Sequence, residues 1–312
     1  MKILFFDEFV MGVIGDDGSV VDVSAAVADI PHLQPQDLMR GLIENYGQYR
    51  GKLAEAASAG GGAAADDVRI RPPLPRPLNI DCMAVNYMED GTRDEPAPIN
   101  GFHKSPSSII GHGDTMVLQD IPATVFEGEA ELGLVIGKRA AEVGEADAMD
   151  HVFGYVNFID GSARGLGPGM NTFFMMKSRE TYSPIGPYIV TKDEIADPQN
   201  LRVRLWNNGV IKQDFNTDDM AHKIPRCVEW ASHCHTLEPG DILATGTNHR
   251  GLHAFQDGDV VELEVEGCGR LRINIRDGLE RTWGPDTRLE HAEKGLDGVH
   301  TPQLTGKYAP EG

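Results

Sequence analysis

The sequence predicts an α+β chain rich in strands, in which a small N-terminal α/β domain precedes a larger β-rich one. Three observations carry that prediction. Short apolar pieces alternate with turn residues over residues 1–27, one amphipathic stripe runs through 34–57, and beyond Leu78 apolar and polar residues alternate between Gly-Asp turns.

At the N-terminus, residues 2–6, 10–14 and 20–23 read as strands of a small meander, with a turn at Asp16-Asp17-Gly18. A helix follows over 34–57, where Leu38, Leu42, Tyr46, Tyr49 and Leu53 recur at three- and four-residue steps and give one buried face. Gly60-Gly61-Gly62 and Ala63-Ala64-Ala65 break the pattern, and Pro72, Pro73, Pro75 and Pro77 stiffen what comes next. The boundary falls there, giving a small domain over 1–72 and a larger β-rich domain over 73–277. In the latter, the clearest piece is 260–275: Val261, Leu263 and Val265 alternate with glutamates, Gly267-Cys268-Gly269 turns the chain, and Leu271, Ile273 and Ile275 alternate with Arg270, Arg272 and Asn274. Glu against Arg across those strands is a structural pairing. Short helices are expected over 147–152 and, with Pro225 in its first turn, over 224–235. Residues 278–312 lose periodicity and read as a tail packed on the surface or partly disordered.

Composition narrows the function. A chain of 312 residues with 40% hydrophobic residues buries a real core, and 48 acidic against 28 basic residues leave a formal charge of −20. That is the wrong sign for a phosphate backbone or an anionic bilayer, so nucleic acid and membrane are not expected partners. No apolar run is long enough to span a bilayer, Asp7 and Glu8 interrupt any signal-peptide core, and a cytoplasmic protein is expected. Four cysteines without paired spacing read as reduced thiols.

The most informative stretch is Phe126-Glu127-Gly128-Glu129-Ala130-Glu131. If it is extended, its glutamates share one face, rooted about 6 to 7 Å apart. Without a counterion they repel and at least one pKa rises; a hard cation keeps them ionised. An acidic edge strand that discourages aggregation would have the same pattern.

The run from Glu129 through Glu131 to Arg139, followed by Gly154 to Arg164 with Asp160 at 29 residues from Glu131, resembles the fumarylacetoacetate hydrolase family. Met176-Lys177-Ser178, the Ser183 to Thr191 segment, Asn208-Gly209 with Gln213, Asn216-Thr217 and Met220, and Thr236 to Thr247 are similar to further blocks of that family, in its order, between about Ile80 and Ile275. The resemblance implies a mixed β-roll, usually a homodimer, with Glu129, Glu131 and Asp160 holding one divalent cation, Mg²⁺ or Mn²⁺ with Ca²⁺ as a further candidate. Three carboxylates around such an ion leave a net negative charge, and Lys177 is the matching family lysine. It further implies a small acidic substrate, a 1,3-diketone or 2-oxo acid, whose enolate charge the ion stabilises. Lys177 then adds positive charge at the oxyanion, Tyr87, Arg164 and Thr247 contact substrate, and Glu127 sits on the rim.

The pattern departs from hydrolytic members at Asn86-Tyr87-Met88-Glu89-Asp90-Gly91-Thr92-Arg93, where Asp90 and Arg93 occupy the positions of the water-activating His and Glu. Asp90 is therefore the candidate general base. Gly165, Gly167 and Gly169 do not have phosphate-loop spacing, and no G-x-S-x-G elbow occurs. His233, Cys234 and His235 do not share a helix face and do not read as zinc ligands; His103 and Lys104 lead into a segment that resembles one beside the family's cleft and are expected to support the site and not to catalyse, while His249 and His253, in the loop after Thr247, are placed either to reach substrate or, more simply, as surface histidines. The leading expectation is metal-dependent hydrolysis of a C–C bond in a small acidic β-diketone or acylpyruvate. The alternatives are decarboxylation, tautomerisation or hydration through the same enolate with Asp90 moving the proton, and a non-catalytic metal-dependent binding protein.

Overall fold

The computed structural model describes residues 1–310. It is a strand-rich mixture of α and β, as expected, built on two large sheets with a two-stranded ribbon beside them. The larger has eleven strands, and its main path runs Val20–Asp22, Val10–Ile14, Lys2–Phe6, Ser183–Thr191, Val152–Arg164, Val125–Ile136, Ile242–Ala244, Ile80–Met83 and Gly101–Lys104. The N-terminal meander thus continues the sheet that carries the acidic strand, through Lys2 paired to Val190 and Ile3 to Ile189. The second sheet orders Val210–Asn216, Arg202–Asn207, Val260–Val265, Arg270–Asp277 and Thr115–Leu118.

Strands Val125–Ile136 and Val152–Arg164 are buried along nearly their whole length, which explains their near-continuous apolar and small-residue composition. Alternation still sorts their faces. Phe126, Ala130, Leu132, Leu134 and Ile136, with Tyr155, Ile159 and Ala163, enter the core shared with Leu263 and Leu271 of the second sheet. On the other face Val135, Val156 and Phe158 pack beneath Leu38, Leu42 and Leu53 of the N-terminal helices. Further along that face the residues become Glu131, Glu129, Asp160 and Glu127.

The 260–275 hairpin folds as read, with Glu262 opposite Arg272 and Glu264 opposite Arg270. Arg270 reaches Glu264 at 3.1 Å and, across the strand that carries Glu264, stacks 4.2 Å over Trp206 of Arg202–Asn207. Two expectations need correction. The 34–57 helix is two helices, Pro35–Glu44 and Tyr46–Ala59, because Asn45 leaves helical geometry while its side-chain amide donates to Gly41 O. The segment around 147–152 is a 3₁₀ helix, Glu145–His151. Beyond Arg276 the chain forms Thr282–Trp283, Gln303–Thr305 and the helix Arg288–Glu293, held by charge more than by apolar period. Arg281 is wholly buried there, bonded to Asp277 and to the carbonyls of Ile121 and Gln119.

Candidate metal centre and cleft

Register assembles the acidic centre. The two long strands pair antiparallel with Glu129 directly opposite Asp160 and Glu131 opposite Phe158. Cross-strand neighbours on one face have their side chains about 5 Å apart, so Glu129, its period-two neighbour Glu131 and Asp160 converge. One oxygen from each lies within 4.8 Å of the others, and all three residues are buried. The 29-residue separation is what remains after one strand, the 3₁₀ connection and the return strand to the same height in the sheet.

Glu131 Oε2 accepts from Gly246 N at 2.7 Å, while Oε1 is buried without a hydrogen-bond partner. Gly246 sits at φ +89°, a conformation a side chain would strain, with Asn86 Cβ 3.0 Å from where its Cβ would lie. Burial, and then the charges of Asp160 and Glu129, push the Glu131 carboxyl well above the usual carboxylate range. Burial pushes Glu129 the same way, but the Lys177 ammonium and Arg164 guanidinium outweigh it and hold its carboxyl low.

An orphaned buried carboxylate oxygen facing two further carboxylates fits a divalent cation. The all-oxygen donor set suits a hard ion, and Glu129, Glu131 and Asp160 are the residues that would hold it.

Cations surround these acids. Lys177 Nζ donates to Glu129 at 2.8 Å and also bonds Asp160. Burial lowers the affinity of that lysine for its proton, yet Asp160 and Glu129 more than restore it, so Lys177 is an ammonium. Lys104 Nζ bonds Asp160 directly and donates to Tyr182 O at 2.7 Å; it touches the centre and does not stand behind it. Arg164 bonds both Glu127 and Glu129. Glu127 is 1% exposed, so the expected rim position is wrong: Arg288 from the C-terminal segment holds it at 3.0 Å through Nε, and His300 lies 3.4 Å away. Four carboxylates thus face four basic side chains, Lys104, Lys177, Arg164 and Arg288.

A cleft of about 600 Å³ opens beside this cluster, bordered by Glu89, Arg93, Arg164, His249, Arg250 and Arg288 among others. Its polar feature is the pair Glu89–His249. The carboxylate accepts from His249 N at 2.8 Å and from its ring Nδ1 at 2.6 Å. His249 is therefore no free surface histidine, and in its neutral ring a donating Nδ1–H leaves the lone pair on Nε2. His253, also expected at the surface, is 5% exposed.

The other expected residues fall as follows. Thr247 is buried; its hydroxyl accepts from Gln213 Nε2 at 2.9 Å, which leaves the hydroxyl proton to donate. Tyr87 is 0% exposed and packs edge-on to Phe215, with a ring separation of 5.0 Å; Glu89, Thr92 and Arg93 of its segment border the cleft and Tyr87 does not. Asp90 points outward, its side chain half exposed and 3.2 Å from Arg250. Glu89 and Arg288 border the cleft without having been expected there, Lys104 touches the centre it was expected only to support, and His249 borders the cleft where a surface position was the simpler expectation. The available signals were the place of Glu89 beside Asp90 and that of His249 two residues after Thr247.

The family model for the fumarylacetoacetate (FAA) hydrolase C-terminal region matches residues 80–276. Oxaloacetate tautomerase YisK of Bacillus subtilis is 32% identical over 292 residues, covering 86% of this chain and 97% of its own. Among solved structures, maleylpyruvate hydrolase from Sphingobium sp. SYK-6, in complex with manganese(II) and pyruvate, aligns with a TM-score of 0.80 at 31% identity, covering 89% of this chain and all of that one. A 5-carboxymethyl-2-hydroxymuconate delta-isomerase from Mycobacterium smegmatis aligns with a TM-score of 0.69 at 27% identity, covering 89% of this chain and 99% of its own. Hydrolases, tautomerases and isomerases therefore share this fold and, among the described residues, this chain carries a buried acidic cluster able to hold a metal. No described helix is long and apolar enough to cross a membrane.

Proposed function

The chain belongs to the fumarylacetoacetate hydrolase family, and from that premise we propose that it is a divalent-metal-dependent tautomerase of a small, doubly acidic 2-oxo acid. The observation that carries the reading is the Glu89–His249 pair, which borders the same cleft as Arg164, itself bonded to Glu129. That pair supplies the acid–base function that Asp90 and Arg93 lack, and it removes the motive for a non-catalytic binding protein.

Charge selects the substrate class. The four acids and four bases of the centre balance, so a dication at Glu129, Glu131 and Asp160 leaves two positive charges for a substrate to neutralise. A dianion with two carboxylates meets that requirement, and Arg164, bordering the cleft, is the group to orient one of them. When bound, the cation, Mg²⁺ or Mn²⁺, supplies Lewis-acid stabilisation of negative charge on the substrate's carbonyl oxygen.

The protein's own groups do the rest. His249 Nε2 takes a proton from the carbon between the ketone and a carboxylate and returns it to the ketone oxygen, interconverting keto and enol forms with no other bond broken. Glu89 holds the tautomer that makes Nε2 the base. Thr247 donates its hydroxyl proton to the substrate's acid end, and Lys177 keeps positive charge beside Asp160 and Glu129 throughout. The proposal includes a homodimer, the assembly that the family resemblance implies.

A second reading is hydrolysis of an acylpyruvate C–C bond, favoured by the same Nε2, which would take its proton from water, and by a cleft of about 600 Å³. Product analysis on oxaloacetate and on an acylpyruvate panel with Mn²⁺ separates the two. Tautomerisation accelerates decay of the ultraviolet enol band and leaves one carbon skeleton, whereas hydrolysis yields two acids. Acceleration of neither reaction contradicts both readings.

A further inference from the structure

A second cluster lies on the reverse side of the Gly101–Lys104 strand. Lys104 points at Asp160, so by alternation its neighbour His103 points the other way. His103 is the cross-strand partner of Asp81. His235, the residue that ends the helix Ile224–Cys234, turns towards both. His103 Nδ1 and His235 Nε2 each stand 3.0 Å from Asp81 Oδ1, the two rings are 4.9 Å apart, and the three candidate ligand atoms lie within 4.8 Å of one another.

Hydrogen bonding alone leaves this cluster incomplete. Asp81 is 8% exposed and its Oδ2 is buried without a partner. Among the described residues no lysine or arginine pairs with it; its ion-pair contacts are the two histidines. His235 Nδ1 lies 2.9 Å from Thr236 O, and a carbonyl only accepts, so Nδ1 carries the hydrogen. A neutral ring would then present its Nε2 lone pair to a carboxylate oxygen, so the contact is favourable either when the ring is protonated or when a metal ion stands between the two. A backbone carbonyl on the far ring nitrogen is also the usual means of fixing a metal-binding imidazole. His103, with most of its side chain exposed, leaves an entry path, and the adjoining cavity of about 160 Å³ has room for a water as fourth ligand.

We propose that Asp81, His103 and His235 form a second metal site, selective for Zn²⁺ or a similar transition ion, which ties the end of the Ile224–Cys234 helix to the sheet edge. Two imidazole nitrogens and one carboxylate oxygen favour such an ion over Mg²⁺, and ligand bonds of about 2.0 to 2.2 Å need only a small outward shift of the present atoms.

The test is the difference in Zn²⁺ bound per chain, by equilibrium dialysis and metal analysis in excess Mg²⁺, between wild type and the variants His103→Gln and His235→Gln. One equivalent lost in each variant is expected, with a Co²⁺ visible spectrum of four-coordinate intensity in wild type that both variants lack. His103→Gln changes an exposed position and preserves the fold if His235→Gln does not. Equal Zn²⁺ content in wild type and His103→Gln, or an unchanged Co²⁺ spectrum, overturns the proposal. Because the readout is a difference, it stands or falls independently of the carboxylate centre.

Discussion

Replacing Glu89 by Gln changes one atom and isolates its effect on His249. The carboxylate accepts both the backbone N–H of His249 at 2.8 Å and its Nδ1–H at 2.6 Å. A Gln side chain has one acceptor oxygen. If that oxygen stays on the backbone N–H, the amide nitrogen meets Nδ1 and drives the ring to the tautomer with its hydrogen on Nε2. His249 then cannot accept a proton. General acid–base catalysis contributes about 10² to 10⁴ in rate, or roughly 3 to 5 kcal/mol at 1.36 kcal/mol per decade. The expected loss in kcat is of that order, with KM changed less than about threefold because Glu89 acts through His249 and not on substrate. Stopped-flow decay of enol oxaloacetate with saturating Mn²⁺ measures both constants. An undiminished kcat, or a loss confined to KM, refutes the acid–base assignment.

Asp90→Asn is expected to leave kcat within about twofold in the same assay, since that half-exposed side chain meets Arg250 at the surface, where ion pairs contribute about 0 to 1 kcal/mol. Lys104→Met removes one of two ammonium groups from wholly buried Asp160 and should cost about 3 kcal/mol in urea unfolding, the low end of the range for breaking a buried pair because Lys177 remains. Part of that loss should return on adding Mn²⁺. Burial, aided by the charge of Lys212, lowers His253 from its usual 6.5 to about 3, so the fold favours its neutral ring. That contribution is complete above pH 6.5 and is lost as pH falls through 6.5 towards 3, amounting to about 2 kcal/mol at pH 5. His253→Gln should therefore flatten the fall in stability between pH 7.5 and 5 that denaturant melts show for wild type; parallel curves would contradict this.

What could be read from the chain follows how far apart the interacting residues lie. Glu129, Glu131 and Asp160 were legible because a period of two puts the glutamates on one face, and a single antiparallel register brings Asp160 opposite Glu129. The 260–275 hairpin was legible for the same reason, its partners being separated by one turn. Glu89 and His249 were not, since 160 residues separate them and their contact depends on the Asn86 to Gly91 loop, where Glu89 and Asp90 both take positive φ. That backbone turns Glu89 towards His249 and Asp90 outward. Lys104 looked remote because its segment precedes the acidic strand and three strands separate it from Asp160 in the sheet order; the contact depends on the chain turning back at once to pair Ile109–Ile110 with Ser183–Thr191, which sequence does not show. The C-terminal segment lacked period because its anchors are Arg281 on Asp277 and Arg288 on Glu127, long charged side chains that need no apolar spacing.

The central claim is that Glu129, Glu131 and Asp160 together hold one divalent cation. Calorimetric titration of Mn²⁺ into chelator-treated wild type and Glu131→Gln tests it most directly. Wild type should bind one equivalent at this centre, with affinity falling by about 100-fold or more when the unpartnered Oε1 of Glu131 is replaced. Equal affinities in the two proteins would contradict the account.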